Sequence, residues 1–194
     1  MKRVFIIHGW GGSPREKMNE WLKRELQKRK YEVIVPEMPD TDEPKIKNWV
    51  EKIRKIVKNP DKNTYFIGHS VGCQGILRYL ETLDLKTQIG GAVLIAPWIK
   101  LDEETIKEEG EESIRISKPW VETPIDWKKV KLHTNKFICI LSDNDPYVPL
   151  SNGDFFKEKL GAEIIMEKNK GHFTEGDGVK KNQTALDKLI EISY

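Results

Sequence analysis

Thr64-Tyr65-Phe66-Ile67-Gly68-His69-Ser70-Val71-Gly72-Cys73 is the stretch on which the reading of the fold turns. It reads as a short apolar strand, then Gly-x-Ser-x-Gly, then the start of a helix, which is the pattern of a nucleophile elbow. A sharp strand-to-helix turn forces the serine into a strained backbone conformation, where bulky neighbours would clash. Gly68 and Gly72 lack a β-carbon, so strand and helix can pack closely on either side of Ser70. The same turn aims the Val71 N–H at the place where a tetrahedral oxyanion forms.

On the N-terminal side, Arg3-Val4-Phe5-Ile6-Ile7 is a continuous apolar run, as expected of a parallel strand covered on both faces. The glycine-rich loop His8-Gly9-Trp10-Gly11-Gly12-Ser13-Pro14 follows. Ser13 is placed to cap the next helix, with Met18, Trp21, Leu22 and Leu26 on its apolar face. A second strand is predicted over 31–35, and a helix opened by Pro44 carries Ile46, Trp49, Val50, Ile53 and Val57 inward. Beyond the elbow, strands are predicted over 90–96, 137–141 and 162–166, and helices over 151–160 and 179–190. This alternation with short connections predicts a three-layer α/β/α sandwich on a mostly parallel six-stranded sheet. Right-handed crossovers then bring every loop that follows a strand to one edge of the sheet.

Residues 97–127 break the rhythm. No strand–helix unit is evident there, and the part from Leu101 to Glu112 is strongly acidic. So long a connection inside one 194-residue domain predicts a cap or lid. Trp98 and Trp120 are candidates for its pocket-facing side, and Trp127 for an anchor on the core.

Composition narrows the function classes. The 33 basic and 31 acidic residues leave a formal charge of +2, which gives no case for nucleic acid. No apolar run approaches the ~20 residues of a membrane span. Met1-Lys2-Arg3 leads straight into a core strand, so no signal peptide is expected. Cys73 and Cys139, the two cysteines, lie in apolar segments and read as free thiols of a cytoplasmic protein, expected to be a monomer.

A serine hydroxyl needs a general base within hydrogen-bond reach. Of the four histidines, His133 precedes a strand and falls at the wrong end, while His69 sits inside the elbow and cannot fold back onto its neighbour. His172, in the loop after the last strand, is the expected base, and His8 is its rival at the same edge. The imidazole needs a carboxylate partner. In Ser142-Asp143-Asn144-Asp145-Pro146-Tyr147-Val148-Pro149 the small-x-x-Asp-x-x-Val-Pro spacing, common in acid loops of α/β-hydrolases, selects Asp145. Asp143 is expected to brace the turn. Trp10 N–H is the expected second oxyanion donor beside Val71, and His8, Gly9, Gly11, His69, Trp98 and Trp120 are the expected substrate-facing set. No metal or cofactor is called for.

These residues resemble those of the small α/β-hydrolases grouped with retinoblastoma-binding protein nine and the bacterial YdeN-like proteins. The likeness covers nearly the whole chain. It rests on His8-Gly9-Trp10, Gly68-His69-Ser70-Val71-Gly72-Cys73 running into Ile76-Leu77-Arg78, Asp126-Trp127, Asp145-Pro146-Tyr147-Val148-Pro149 and Gly171-His172-Phe173. The resemblance implies a minimal hydrolase core and a Ser70–Asp145–His172 triad. It implies serine hydrolase activity, usually on carboxylic esters, with aminopeptidase-like action in some members. The Leu-x-Cys-x-Glu motif for a retinoblastoma protein is absent, so that partnership is not implied. The expected reaction is cleavage of a small-molecule ester. The alternatives are an amidase or aminopeptidase using the same triad, or a binding protein on a hydrolase scaffold.

Overall fold

The computed structural model describes all 194 residues. In chain order the elements are β1 (Arg3–Ile7), α1 (Lys17–Lys28), β2 (Glu32–Ile34), α2 (Ile46–Val57), β3 (Thr64–His69), α3 (Val71–Leu80) and β4 (Gly91–Ile95). Then come α4 (Glu103–Glu108), α5 (Glu111–Glu122), α6 (Trp127–Leu132), β5 (Phe137–Ser142), α7 (Ser151–Leu160), β6 (Glu163–Glu167) and α8 (Gln183–Ile192).

The six strands form one sheet in the order β2-β1-β3-β4-β5-β6. Every pairing is parallel, so each connection must cross over the sheet. The step from β1 to β2 runs one way along the sheet and all later steps run the other. With right-handed crossovers this puts α1 on one face and α2, α3 and α7 on the opposite one. α8 returns to the face of α1 and packs on it and on β4, which completes the three layers. The direction of winding reverses between the neighbouring strands β1 and β3, and ligands of open α/β sheets bind at such a switch point.

Burial follows from this order. Every residue of the central strands β3, β4 and β5 is buried, which explains why apolar residues dominate them. The edge strands β2 and β6 expose part of their residues, including Glu32 and Glu163. The buried apolar side chains of both faces join in one cluster of 48 residues.

Three local expectations change. Ser13 does not cap α1: its hydroxyl accepts the Arg15 N–H at 3.2 Å inside a preceding turn, and the helix starts four residues later. The last helix begins at Gln183 rather than near Val179, because the Asn182 side chain accepts the Ala185 N–H at 2.7 Å and caps it there. Residues 97–127, where the sequence shows no strand–helix unit, hold two helices and lead into a third. The acidic clusters are the reason those helices escaped a search for apolar periodicity. Glu103 and Glu104 sit in the first turn of α4, and Glu111 and Glu112 in that of α5, where carboxylates suit the positive helix end. Asp102 caps α4 by accepting the Thr105 N–H at 2.9 Å.

Both ends of this helical insertion are tied to α3. Gln74 Nε2 donates to the carbonyls of Trp98 (3.1 Å) and Trp120 (3.2 Å). One turn on, the buried Arg78 donates to Trp120 O (3.0 Å) and Thr123 O (2.7 Å). The helix that begins at the elbow therefore also fixes where the insertion leaves and rejoins the core.

The closest approach of any glycine to neighbouring backbone atoms lies where α3 meets the end of β1. A β-carbon at Gly72 would stand 2.3 Å from Ile7 O and 2.5 Å from His8 O, both backbone atoms that cannot yield. Gly72→Ala is expected to lower unfolding stability by about 1–3 kcal/mol or more, read from the urea midpoint. Gly176→Ala, at an exposed position whose nearest neighbour is a side-chain hydroxyl at 3.4 Å, is the control and should leave the midpoint in place.

Candidate active site

Ser70 sits between β3 and α3 with φ 52° and ψ −123°, a conformation that costs a non-glycine residue about 1–3 kcal/mol. Close packing holds it there. Its N–H donates to Ile95 O at 2.9 Å, and a β-carbon at Gly68 would stand 2.9 Å from the Cys73 backbone and 2.8 Å from Ile76 Cδ1. Neither glycine position tolerates a side chain, so the serine cannot relax by moving strand and helix apart.

His172, in the loop between β6 and α8, meets this serine. Its Nε2 lies 2.9 Å from Ser70 Oγ, and its Nδ1 lies 2.8 Å from Asp145 Oδ2. A carboxylate at Nδ1 makes that nitrogen the proton carrier and leaves Nε2 to accept from the serine hydroxyl. The Asp145 side chain is 1% exposed, and its other oxygen accepts the N–H groups of Tyr147 (2.9 Å) and Val148 (3.1 Å). These bonds fix the carboxylate plane before the histidine is considered. Asp143 faces elsewhere and accepts the Asn169 N–H at 2.8 Å, so it braces the histidine loop rather than its own turn.

Asp143 belongs to a clamp. Ser142 Oγ accepts the Lys170 N–H (3.0 Å) and Asn144 Oδ1 the Gly171 N–H (2.9 Å), so three consecutive side chains hold three consecutive backbone groups of the histidine loop. Asp177 Oδ2 accepts the His172 N–H at 3.0 Å, and His69 Nε2 lies 2.8 Å from the His172 carbonyl. Every polar atom of His172 is thus engaged.

A cavity of about 380 Å³ opens over this group. Of the expected substrate-facing residues, Gly9, His69 and Trp98 line it, together with Ser70, Val71 and Trp10. The Trp98 indole N–H points at Ser70 Oγ from 3.4 Å. Trp10 anchors its indole on Asp42 O at 2.9 Å, and its backbone N–H donates to no protein atom. Val71 N–H belongs to the first turn of α3, where amide groups have no intrahelical acceptor.

His8, Gly11 and Trp120 are corrections, for none of them lines the cavity. His8 is fully buried, accepts the Met38 N–H at Nε2 (3.3 Å) and donates from Nδ1 to Gly9 O (3.0 Å), so it props the glycine-rich loop from beneath. Gly11 has φ +62° and donates its N–H to Thr41 O, which makes it a turn residue. Trp120 donates to Pro44 O at 2.8 Å and packs edge-on against Trp49, 2% exposed. His69 presents only ring carbon to the cavity, because Nε2 is bonded and Nδ1 is sealed from solvent.

Residues that the sequence reading passed over complete the wall. Tyr147 packs edge-on against the His172 ring, centroids 5.1 Å apart, and its hydroxyl donates to Glu109 Oε1 at 2.8 Å. Its place two residues after Asp145 was the available signal. Leu101 and Ile106 come from the insertion, and Glu16 from the turn before α1. Burial raises the Glu16 carboxyl above its ordinary range, opposed by its hydrogen bond from Asn19. No group of three or more His, Cys, Asp or Glu side chains is placed to hold a metal ion.

Electrostatics separate the buried histidines. Burial, reinforced by the neighbouring His172, brings the pKa of His69 down to about 4, and burial also lowers that of His8. His69 is neutral when folded yet takes up a proton near the ordinary histidine pKa when unfolded, and His8 is shifted in the same direction. Stability is complete above that range and falls as pH drops through it. Unfolding at about pH 5.5 is therefore expected to take up protons, measured by calorimetry in buffers of different ionisation enthalpy, and His69→Gln should take up about one fewer.

Comparison with known proteins places the chain in a family. A family model described as serine hydrolase matches residues 4–190. The Bacillus subtilis (strain 168) protein YdeN is 27% identical over 188 residues, covering 97% of this chain and 94% of its own length. Serine hydrolase RBBP9 of Rattus norvegicus is 25% identical over 168 residues, covering 86% and 78%. The crystal structure of the B. subtilis ydeN gene product superposes with a TM-score of 0.87 at 26% identity, covering 99% of this chain and 98% of that one. With the match spanning β1 to α8 and the elbow serine at its centre, the chain belongs to the serine hydrolase family.

Proposed function

We propose that the protein is a carboxylesterase that cleaves small acyl esters through an acyl-enzyme on Ser70. The observation that carries this reading is the continuous hydrogen-bonded line Ser70–His172–Asp145, at 2.9 and 2.8 Å. Ser70 Oγ attacks the ester carbonyl carbon while its proton passes to His172 Nε2. Asp145 holds the resulting imidazolium. The negative oxygen rests against Val71 N–H and Trp10 N–H, each such donor being worth about 3–4 kcal/mol in the barrier. Collapse breaks the bond to the alcohol, which leaves with the proton from His172. Water, deprotonated by the same histidine, then attacks the acyl-enzyme and frees the acid and Ser70.

Residues 97–127 act as the cap on this site and supply Leu101, Ile106 and Glu109 to the cavity wall. The buried free thiols Cys73 and Cys139 suit a reducing compartment, and we read the protein as a cytoplasmic monomer.

Ser70→Ala is expected to abolish hydrolysis of p-nitrophenyl acetate and labelling by a fluorophosphonate probe. Labelling of the variant at the wild-type rate overturns the assignment, and a wild-type protein that takes no label is a binding protein instead. An aryl-amide substrate assayed beside the ester separates esterase from amidase. The cavity wall contains Glu16 and Glu109 but no lysine or arginine. Esters of neutral short acids are therefore expected to exceed a monosuccinate ester in kcat/KM by about tenfold, from like-charge repulsion.

A further inference from the structure

We propose that His69, the residue before the nucleophile, is a positioning residue that sets the place of the base by donating a hydrogen bond to the His172 carbonyl. This rests on the reading of His172 as the base.

The elbow grips one histidine at two points. Ser70 meets the His172 ring at Nε2, and His69 meets its backbone oxygen at 2.8 Å. The loop that carries His172 needs such a hold. Gly171 and Phe173, on either side, have φ of +53° and +59°, so the chain turns sharply through the position. The clamp from Ser142, Asp143 and Asn144 ends at Gly171, and Asp177 holds the His172 N–H from within the same loop. His69 alone joins the backbone of that loop to the strand that presents the serine. With the bond removed, the carbonyl is left unpaired beside the serine, and the Ser70–His172 distance loses its reference to β3.

The surroundings keep His69 in the one form that can do this. A carbonyl can only accept, so the proton must sit on Nε2. Nδ1 is then a bare lone pair, has no partner and is closed off from solvent. Gly9 seals it: a β-carbon there would lie 3.2 Å from Nδ1. The residue is 5% exposed, and the ring centroids of His69 and His172 lie 5.2 Å apart. A second proton on His69 would put a buried cation beside the imidazolium that forms on His172 during turnover. Burial and that neighbour hold the pKa at about 4, so the donor stays neutral throughout the working range. The Nδ1 side of the imidazole lies against Gly9 in the loop of Trp10 and the Nε2 side against the loop of His172, which makes this ring the spacer between oxyanion donor and base.

The test compares His69→Leu, which removes the donor, with His69→Gln, whose amide nitrogen reaches the position of Nε2. In p-nitrophenyl acetate hydrolysis, His69→Leu is expected to lose on the order of 10- to 100-fold in kcat with KM changed less than about twofold. His69→Gln should recover most of the loss. Nitrogen-15 NMR of the wild-type enzyme should show His69 protonated at Nε2 and untitrated between about pH 5 and 8, a measurement that stands even if the leucine variant fails to fold. Wild-type kcat in folded His69→Leu, equal impairment of the two variants, or a proton on Nδ1 overturns the proposal. The Ser70→Ala variant keeps the two levels apart. Full activity there defeats Ser70 as the nucleophile and with it His172 as its base, whereas an inactive Ser70→Ala with an unslowed His69→Leu defeats only the positioning role.

Discussion

The first turn of α3 lies so close to the end of β1 that only a hydrogen atom fits at Gly72, and much of the molecule follows from that contact. It fixes the helix against the strand that launches the glycine-rich loop. Val71 N–H and the Trp10 backbone are thereby held on adjacent elements at the switch point of the sheet. Gly68 repeats the constraint from the other side, against Cys73 and Ile76. Between them Ser70 keeps a backbone conformation it would leave if either contact loosened. The strain is small beside the apolar burial of the surrounding strands, and it is stable because β3, α3 and β1 are all central.

The remaining groups come from loops, and loops are mobile unless tied. Here the ties are side chains. Asp145 is set by two backbone N–H groups of its own turn, and the histidine loop by Ser142, Asp143, Asn144 and Asp177. Single hydrogen bonds of this kind contribute only about 0.5–1.5 kcal/mol each, but together they leave His172 one place to stand. An imidazole 102 residues from Ser70 in sequence thus arrives with its tautomer and distance already chosen. The helical insertion is held to the same frame through Gln74 and Arg78, so the cavity wall and Ser70 share one support.

Much of this could be read before the fold was seen, for physical reasons that differ by residue. Strands buried on both faces are continuous apolar runs, and glycines at an elbow cannot be replaced, so β1, β3 to β5 and Ser70 stood out. His172 followed because only His8 rivals it after a strand at that edge, and Asp145 from the small-x-x-Asp-x-x-Val-Pro spacing of its loop. Side-chain direction was not legible. His8 and Trp120 looked like pocket residues from their positions, yet both turn inward to satisfy backbone groups at Gly9, Met38 and Pro44. His69 was set aside because it cannot reach Ser70, and its actual partner, a carbonyl in a distant loop, has no sequence signature. The helices α4 and α5 were hidden by the acidic residues that stabilise their N-termini, and α4 buries no residue at all.

The central claim is that an acyl group passes through Ser70. Its most direct measurement is mass spectrometry of the enzyme mixed with p-nitrophenyl acetate and quenched in acid within the first turnovers. The account predicts an acetyl group on the peptide that carries Ser70, appearing with the burst of nitrophenol and vanishing as substrate runs out. Turnover with no acetyl on that peptide, or with the acetyl on another residue, would contradict it.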